Sequence, residues 1–514
     1  MPSAIFDTTR LFRNPARIVF DPEKGCVSAT ISQDSFPEHC RIIGTLPGLY
    51  PEWLGSRAFV QTHNLRFAYV VGEMARGIAS VQMVVAAAKS GLMGFYGAGG
   101  QSIETIERSI CEIEAGLSQG QSWGCNLIHS PHDPRMELEL ASLLLARRVR
   151  RVCASAFMSV EPSIVHYAFS GARRLASGAI ERPNHLFVKL SRPEVAAQFL
   201  MPAPEALVRN LVEKGALTPE EGKIASVSPV AQYVTVEADS GGHTDNRPLQ
   251  SLFPIIFRQV QEAAAQFGPE HAIMIGAAGG LGTPAAVAAA YLLGADYVVT
   301  GSINQSAVEA GISPRAKVIL SQAGLADCTM APSADMFELG VKVQVLRKGT
   351  FFPQRAAKLY ELYTNHTSLD KIPLTEIQKL EKEVFRKPIE QIWQECAEFF
   401  TRKDPEELRR AESDPRHKMA LIFRWYLGSS SHWPIKGEGD RVMDYQIWCG
   451  PAMGSFNDWV AGSFLEKPEA RTVAQIGLNL LEGACVFVRA GQLRTYGVPV
   501  PQQAFSFRPR PLRT

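Results

Sequence analysis

From Phe67 onward the apolar and polar positions follow a repeating rhythm. Short, apolar, β-branched runs recur at FAYVV (67–71), LMGFY (92–96), WGCNLI (123–128), RVCASAF (151–157), HLFVKL (185–190), AQYVTVEA (231–238), Ala272–Gly276 and Tyr297–Thr300. Runs of this kind predict strands buried on both faces. Between them the apolar residues space out to a helical period. Helices are expected at Ala79–Lys89, Ser102–Leu117, Glu137–Ala146 and Pro162–Leu175, in segments from Pro193 to Ile224, and along a stripe from Leu252 to Phe267. Ile103, Ile106, Ile110 and Ile113 share one helix face. Thr283 and Pro284 read as the cap and first residue of a further helix that Gly294 stops. Eight strand–helix units over about 235 residues predict an α/β fold, a (β/α)8 TIM barrel, which typically takes about 250. An open doubly wound sheet fits the same alternation; eight regular units favour closure.

The flanks read differently. Residues 1–66 are rich in turns and aromatics and predict an N-terminal cap of short strands and loops, ahead of a barrel at 67–345. Residues 354–425 are dense in Lys, Glu, Gln and Arg at helical spacing, so 346–440 is assigned to an added helical subdomain, a lid or a docking element. HWPIKGEGD (432–440) reads as a linker loop, and 441–514 as apolar helices packing back on the barrel.

Composition narrows the class. Of 514 residues, 46% are hydrophobic and 20% charged, as in a globular protein with a large core. Lys+Arg 53 against Asp+Glu 51 gives +2, which argues against a general nucleic-acid binder. No continuous apolar run reaches the roughly 20 residues of a membrane span. The first twenty residues lack a signal core, so a cytoplasmic protein without a membrane segment is expected. Nine cysteines without a C-x-x-C pair imply reduced thiols, with no metal site and no disulfide. Arg147, Arg148, Arg150 and Arg151 read as a solvated helix end or a docking patch for an acidic carrier protein.

In a barrel the chemistry gathers at the C-terminal strand ends. After the seventh strand come Gly279, Gly280 and Gly282; after the eighth come Gly301 and Ser302. Two such turns on adjacent strands can present backbone N–H groups to one phosphate, although glycines also serve tight turns alone. The sequence GAAGGLG is not the spaced dinucleotide fingerprint. After the sixth strand comes EADSGGHTD, 237–245. His243 follows two glycines and can exchange a proton near neutral pH; Glu237 and Asp239 bind or orient, or form a salt bridge or cap. Met74 and Gly77 follow the first strand, and Asn126 lies at the third.

Across these stretches — VGEMARGIAS, SGLMGFYGAGG, WGCNLIHSPHDP, VEADSGGHTD, AAGGLGTPAAVAAAYLLGADYVVTGSINQ and CGPAMGSFNDWVAGSFLE — the chain resembles the PfaD-type trans-acting enoyl reductases of polyunsaturated fatty acid and trans-acyltransferase polyketide synthases. The barrel part is also similar to flavin-type enoyl-ACP reductases and nitronate monooxygenases. The resemblance implies a barrel holding FMN, reduced by NADPH or NADH, that acts on enoyl thioesters carried on an acyl carrier protein. A homodimer is among the assemblies it allows. By position, Met74 and Gly77 border the flavin ring and Asn126 hydrogen-bonds it. Gly279, Gly280, Gly301 and Ser302 bind its phosphate, and His243 is the active-site histidine. Two departures, five residues between Glu237 and His243 and the turn Gly-Ser-Ile-Asn-Gln, weaken any transfer of nitronate chemistry. A flavin oxygenase acting on nitronates and a flavin-free docking protein of a synthase are the alternative readings.

Overall fold

Eight parallel strands close into a barrel in chain order: Tyr69–Val71, Met93–Tyr96, Trp123–Ile128, Arg151–Ser155, His185–Leu190, Tyr233–Glu237, Met274–Ala278 and Tyr297–Thr300. The eighth pairs with the first through Val298–Tyr69, Val299–Val70 and Thr300–Val71, which completes the ring. The computed structural model describes residues 2–31, 37–118, 120–130, 133–268 and 271–513; Pro131 and His132 of the WGCNLIHSPHDP motif, and parts of the cap, lie outside them.

Alternate residues of each strand fill the lumen in layers. Phe95, Phe187, Tyr233 and Tyr297 pack together there, with Phe187 stacked on Tyr233 at 4.2 Å between ring centroids. The Tyr297 hydroxyl meets Thr235 Oγ1 at 2.8 Å, so a buried phenol keeps a partner. The seventh strand starts at Met274, two residues later than expected. Gly276 lies inside that strand rather than ending it, because the Tyr297 ring occupies the space a side chain there would need. The amide of Ile275 donates to Asp296 Oδ2 at 2.7 Å and fixes the entry.

The N-terminal cap is more helical than its sequence suggests. Pro2–Arg10 is a helix, and Ala16–Asp21 pairs antiparallel with both Cys26–Thr30 and Arg41–Leu46. A second helix, Arg57–Thr62, drives Phe59 into the N-terminal end of the lumen, where it stacks on Tyr297 at 4.5 Å. His63, fully buried, follows it and accepts from Arg151 Nε at 3.0 Å through Nδ1.

Barrel helices start at capping side chains. Ser80, Ser102, Asp133 and Thr283 each accept a backbone amide three residues on. The fourth barrel helix stops at Phe169, short of Leu175, and Arg173–Arg174 instead pairs with Ile180–Glu181. The helix Val473–Thr495 corrects the expectation about apolar runs. By length and composition it could cross a membrane, but 83% of its apolar window is buried inside the protein. It is a core helix, with Gly483 allowing close approach to Pro284.

The chain forms two compact units, Met1–Asp239 with Asp245–Ala310 and Ser455–Thr514, and Gly311–Gly454 with the short segment Ser240–Thr244. The boundary near 310 falls inside the stretch assigned to the barrel from sequence. The second unit holds the hairpin Cys328–Pro332/Lys342–Leu346 and a helical array that includes Phe352–Asn365, Ile389–Lys403 and Pro405–Ser413. Its helix Pro415–Lys436 overturns the linker reading of 432–440. Trp433 and Pro434 are buried in its last turn, and Gly437 (φ 75°) ends it. All nine cysteines are free thiols.

Candidate active site

Two glycine turns stand side by side, because strands seven and eight pair through Ala277–Val298 and Ala278–Val299. The glycines have different reasons to be there. A side chain on Gly279 (φ 88°) would run into the Ala238 carbonyl carbon at 2.6 Å, so this residue is glycine for close strand packing. Gly280 (φ 71°) and Gly301 open onto space in which an added Cβ meets nothing within 4 Å. Ser302 begins the short 3-10 turn Ser302–Ser306. Behind it, Asn304 Nδ2 donates to the Thr300 carbonyl and hydroxyl, both at 2.9 Å, and the Tyr69 hydroxyl meets Thr300 at 2.7 Å. The turn after the eighth strand is thereby tied to the first.

The first-strand loop lies against the second. The Gly77 amide donates to Gly97 O at 2.9 Å and the Arg76 amide to Gly99 O at 2.7 Å. Gly97 has no room for a side chain, because the Met74 carbonyl is packed on it. Met74 itself is 9% exposed. Gly77 (φ 71°) makes space for Gln101, whose amide nitrogen sits 2.5 Å from where a Cβ would be. Asn126 is 1% exposed, and its Nδ2 donates to Cys153 O at 3.0 Å and Ser155 Oγ at 2.8 Å. Its remaining capacity for a ligand is the acceptor Oδ1.

At the C-terminal ends of the first, fifth and sixth strands the lumen is charged, a cluster that sequence reasoning misses. Lys189 Nζ lies 2.8 Å from Glu237 Oε1 and 3.2 Å from Glu73 Oε1. Cys153 Sγ donates to Glu73 Oε1 at 3.3 Å. Glu73 Oε2 is buried without a hydrogen-bond partner. Burial alone favours a neutral amine, but attraction to Glu237 and Glu73 outweighs it and holds Lys189 charged well above the usual lysine range. Burial first, and then Glu73, keep the Cys153 thiol protonated. A signal is present: Lys189 is the one charged residue in HLFVKL, two positions from the lumen-facing Phe187.

Glu237 thus forms a salt bridge with Lys189. Asp239 closes its loop, with Oδ1 accepting from Asn246 Nδ2 at 3.0 Å and its amide donating to Arg247 O at 2.9 Å. Asp245 is held by Arg192 and Ser191. The arginine cluster divides. Arg147 pairs with Glu114, Arg150 donates to Asn184, and Arg151 turns inward onto His63.

His243 belongs to the second unit, where its loop adds a rung to the hairpin. The Gly242 amide donates to Gln344 O at 2.9 Å and the Gln344 amide returns to Gly242 O at 2.7 Å. Gln344 Nε2 donates to Ser240 O at 2.7 Å, and Gly241 packs on the Cys449 backbone. His243 Nε2 lies 3.4 Å from both Ser333 Oγ and Asp335 Oδ2. The Ser333 hydroxyl donates to the other Asp335 oxygen. Burial raises the Asp335 acid, but the bond and charge of His243, with the Ser333 hydroxyl, pull it well below the usual carboxylate range. No sequence pattern links residues 243, 333 and 335; only the hairpin does.

Residues 366–445 match the family described as "[Acyl-carrier-protein] S-malonyltransferase, inserted helical domain". The chain is 43% identical over 448 residues to one of the polyunsaturated fatty acid synthase subunits of Thraustochytrium sp., covering 86% of this chain and 30% of that protein. It is 44% identical over 441 residues to the polyketide biosynthesis protein PksE of Bacillus subtilis, covering 86% of this chain and 57% of PksE. The chain therefore spans under a third of the first relative and just over half of the second. Among solved structures, the enoyl reductase domain of MlnA from the macrolactin cluster of Bacillus amyloliquefaciens is 36% identical with a TM-score of 0.82, covering 86% of this chain and 99% of that domain. With an eight-stranded barrel, paired open glycine turns and a near full-length match to that domain, the chain belongs to the PfaD-type enoyl reductase family of polyunsaturated fatty acid and polyketide synthases.

Proposed function

We propose that this chain is a trans-acting enoyl reductase that uses FMN and NADPH or NADH to saturate the α,β double bond of enoyl thioesters held on an acyl carrier protein. The observation that carries the flavin is the pair Gly280 and Gly301, which leave a cradle that a Cβ would fill. Backbone N–H groups of Gly279, Gly280 and Gly301, with the Ser302 hydroxyl, suit a phosphate there, and the helix Pro284–Leu292 adds the positive end of its dipole. Met74, Gly77 and the Asn126 acceptor border the ring. FMN, when bound, supplies hydride transfer between nicotinamide and carbon.

The chain's own residues supply positioning and a proton. Saturation adds hydride to the β-carbon and a proton to the α-carbon, while the nicotinamide is oxidised. His243 delivers the proton and stabilises the charge that gathers on the thioester oxygen. Glu237, held by Lys189, and Asp239, held by Asn246, keep the sixth-strand loop in place. The relatives' names support a carrier-bound substrate, and a homodimer is the assembly to test alongside.

The test is an anaerobic half-reaction. Bound flavin is reduced with NADPH, then mixed with an enoyl thioester on a carrier protein. Prompt reoxidation with formation of the saturated thioester is expected. Flavin that stays reduced there but turns over with a nitronate and oxygen refutes the reductase. A protein that cannot be reconstituted with FMN refutes the cofactor and leaves the docking reading.

A further inference from the structure

We propose that Asp335, seated by Ser333, is a positioning residue for His243: it keeps the imidazole charged and fixed in orientation. This rests on His243 as the proton donor of the proposed reductase. The geometry is a fork. Ser333 Oγ and Asp335 Oδ2 both face Nε2 at 3.4 Å, and the serine hydroxyl is itself spent on the carboxylate. A carboxylate against Nε2 fixes the N–H there and with it the orientation of the ring. It also favours the imidazolium over the neutral ring.

Rigidity is what gives the contact meaning. His243 cannot swing away with its loop, because Gly242 is paired on both sides with Gln344, a residue of the strand Lys342–Leu346. Ser333 follows the partner strand Cys328–Pro332 directly and is 2% exposed, and its amide donates to Val341 O at 2.9 Å. The imidazole and the carboxylate are thus carried on opposite sides of one hairpin. Both stay reachable: the His243 side chain is 40% exposed and that of Asp335 54%. A histidine wanted only for packing has no need of an open face.

Other charges near these elements are accounted for. Glu338, on the same connection as Asp335, is engaged by Arg424 at 3.1 Å and by His417 at 3.8 Å. Lys342 opens the returning strand and is exposed. Along the chain, Asp239 is held by Asn246 and Asp245 by Arg192.

The experiment follows C2–H exchange of His243 by mass spectrometry across pH, alongside the pH profile of kcat for enoyl reduction, in the flavin-loaded protein. Asp335→Asn should lower the His243 titration midpoint by about one pH unit and shift the limb of kcat that needs the protonated form by the same amount. Asp335→Glu should restore both, and Ser333→Ala should give a smaller shift in the same direction. Reduction of the flavin by NADPH should not change in any of them. An unmoved midpoint in both Asp335→Asn and Ser333→Ala overturns the proposal. A moved midpoint with an unmoved kcat profile upholds Asp335 as the group that charges His243 and refutes the donor role of His243 instead.

Discussion

Replacing Lys189 by methionine tests the charged layer at the top of the lumen. The ammonium sits 2.8 Å from Glu237 and 3.2 Å from Glu73, with side-chain exposures of 14%, 20% and 5%. At an effective dielectric of about 20 these attractions amount to about 6 and about 5 kcal/mol. Most of that offsets the cost of taking three charges out of water. What the substitution exposes is the remainder: two carboxylates left facing each other in the lumen, one with an oxygen already unpartnered. Breaking a buried pair in this way costs about 3–5 kcal/mol, which for a unit of this size lowers the melting midpoint by about 4–7 °C. Thermal and urea unfolding of Lys189→Met should show that loss. Acidification, which neutralises the stranded carboxylates, should narrow the gap to the wild type. Adding Glu73→Gln and Glu237→Gln should recover most of it. A Lys189→Met protein with wild-type stability at neutral pH would refute the reasoning, because the ion pairs would then contribute nothing beyond their desolvation.

Gly280→Val should leave the far-ultraviolet circular dichroism of the fold in place and sharply lower flavin content on reconstitution, since the added side chain enters the open cradle at φ 71°; full occupancy would move the phosphate elsewhere. His63 makes stability pH-dependent. Burial, then His185 and Arg151, lower it from 6.5 to about 2, so the unfolded chain takes up a proton that the fold cannot. That stability is complete above pH 6.5 and falls by about 1.4 kcal/mol for each pH unit below it; urea midpoints from pH 7 to 4 should follow this, and His63→Leu should flatten the slope. Thr283→Ala removes the cap on the Ala286 amide and should cost about 1 kcal/mol in unfolding free energy.

The barrel is legible because strands buried on both faces leave long apolar runs, and the helices between them carry a single apolar face. The departures have local causes. AIMIG is apolar and its glycine looks like an end, so the seventh strand reads two residues early, whereas Gly276 makes room for a tyrosine from the neighbouring strand. The last turns of Pro415–Lys436 resemble a linker because His, Pro and Gly cluster there, yet burial of Trp433 outweighs the single amide that Pro434 lacks. Among the candidate residues, glycine turns and a histidine announce themselves by residue type. Lys189 is masked by its apolar neighbours. Ser333 and Asp335 meet His243 only through a hairpin whose register brings residues about ninety apart together.

The buried helix Val473–Thr495 also imposes a delay on folding. Its Arg489 donates to the carbonyls of Phe12 and Pro47, and its Glu482 pairs with Arg13. Arg489 and Phe12 are 477 positions apart, so a stretch made early is finished by one made much later. At about 5–20 residues per second, the N-terminal sheet waits on the order of half a minute to a minute and a half before those carbonyls find their guanidinium. During that interval the N-terminal cap lacks the helix it packs on, although the barrel ring has already closed at its eighth strand, and a chain truncated before Arg489 should be a chaperone client rather than a smaller enzyme.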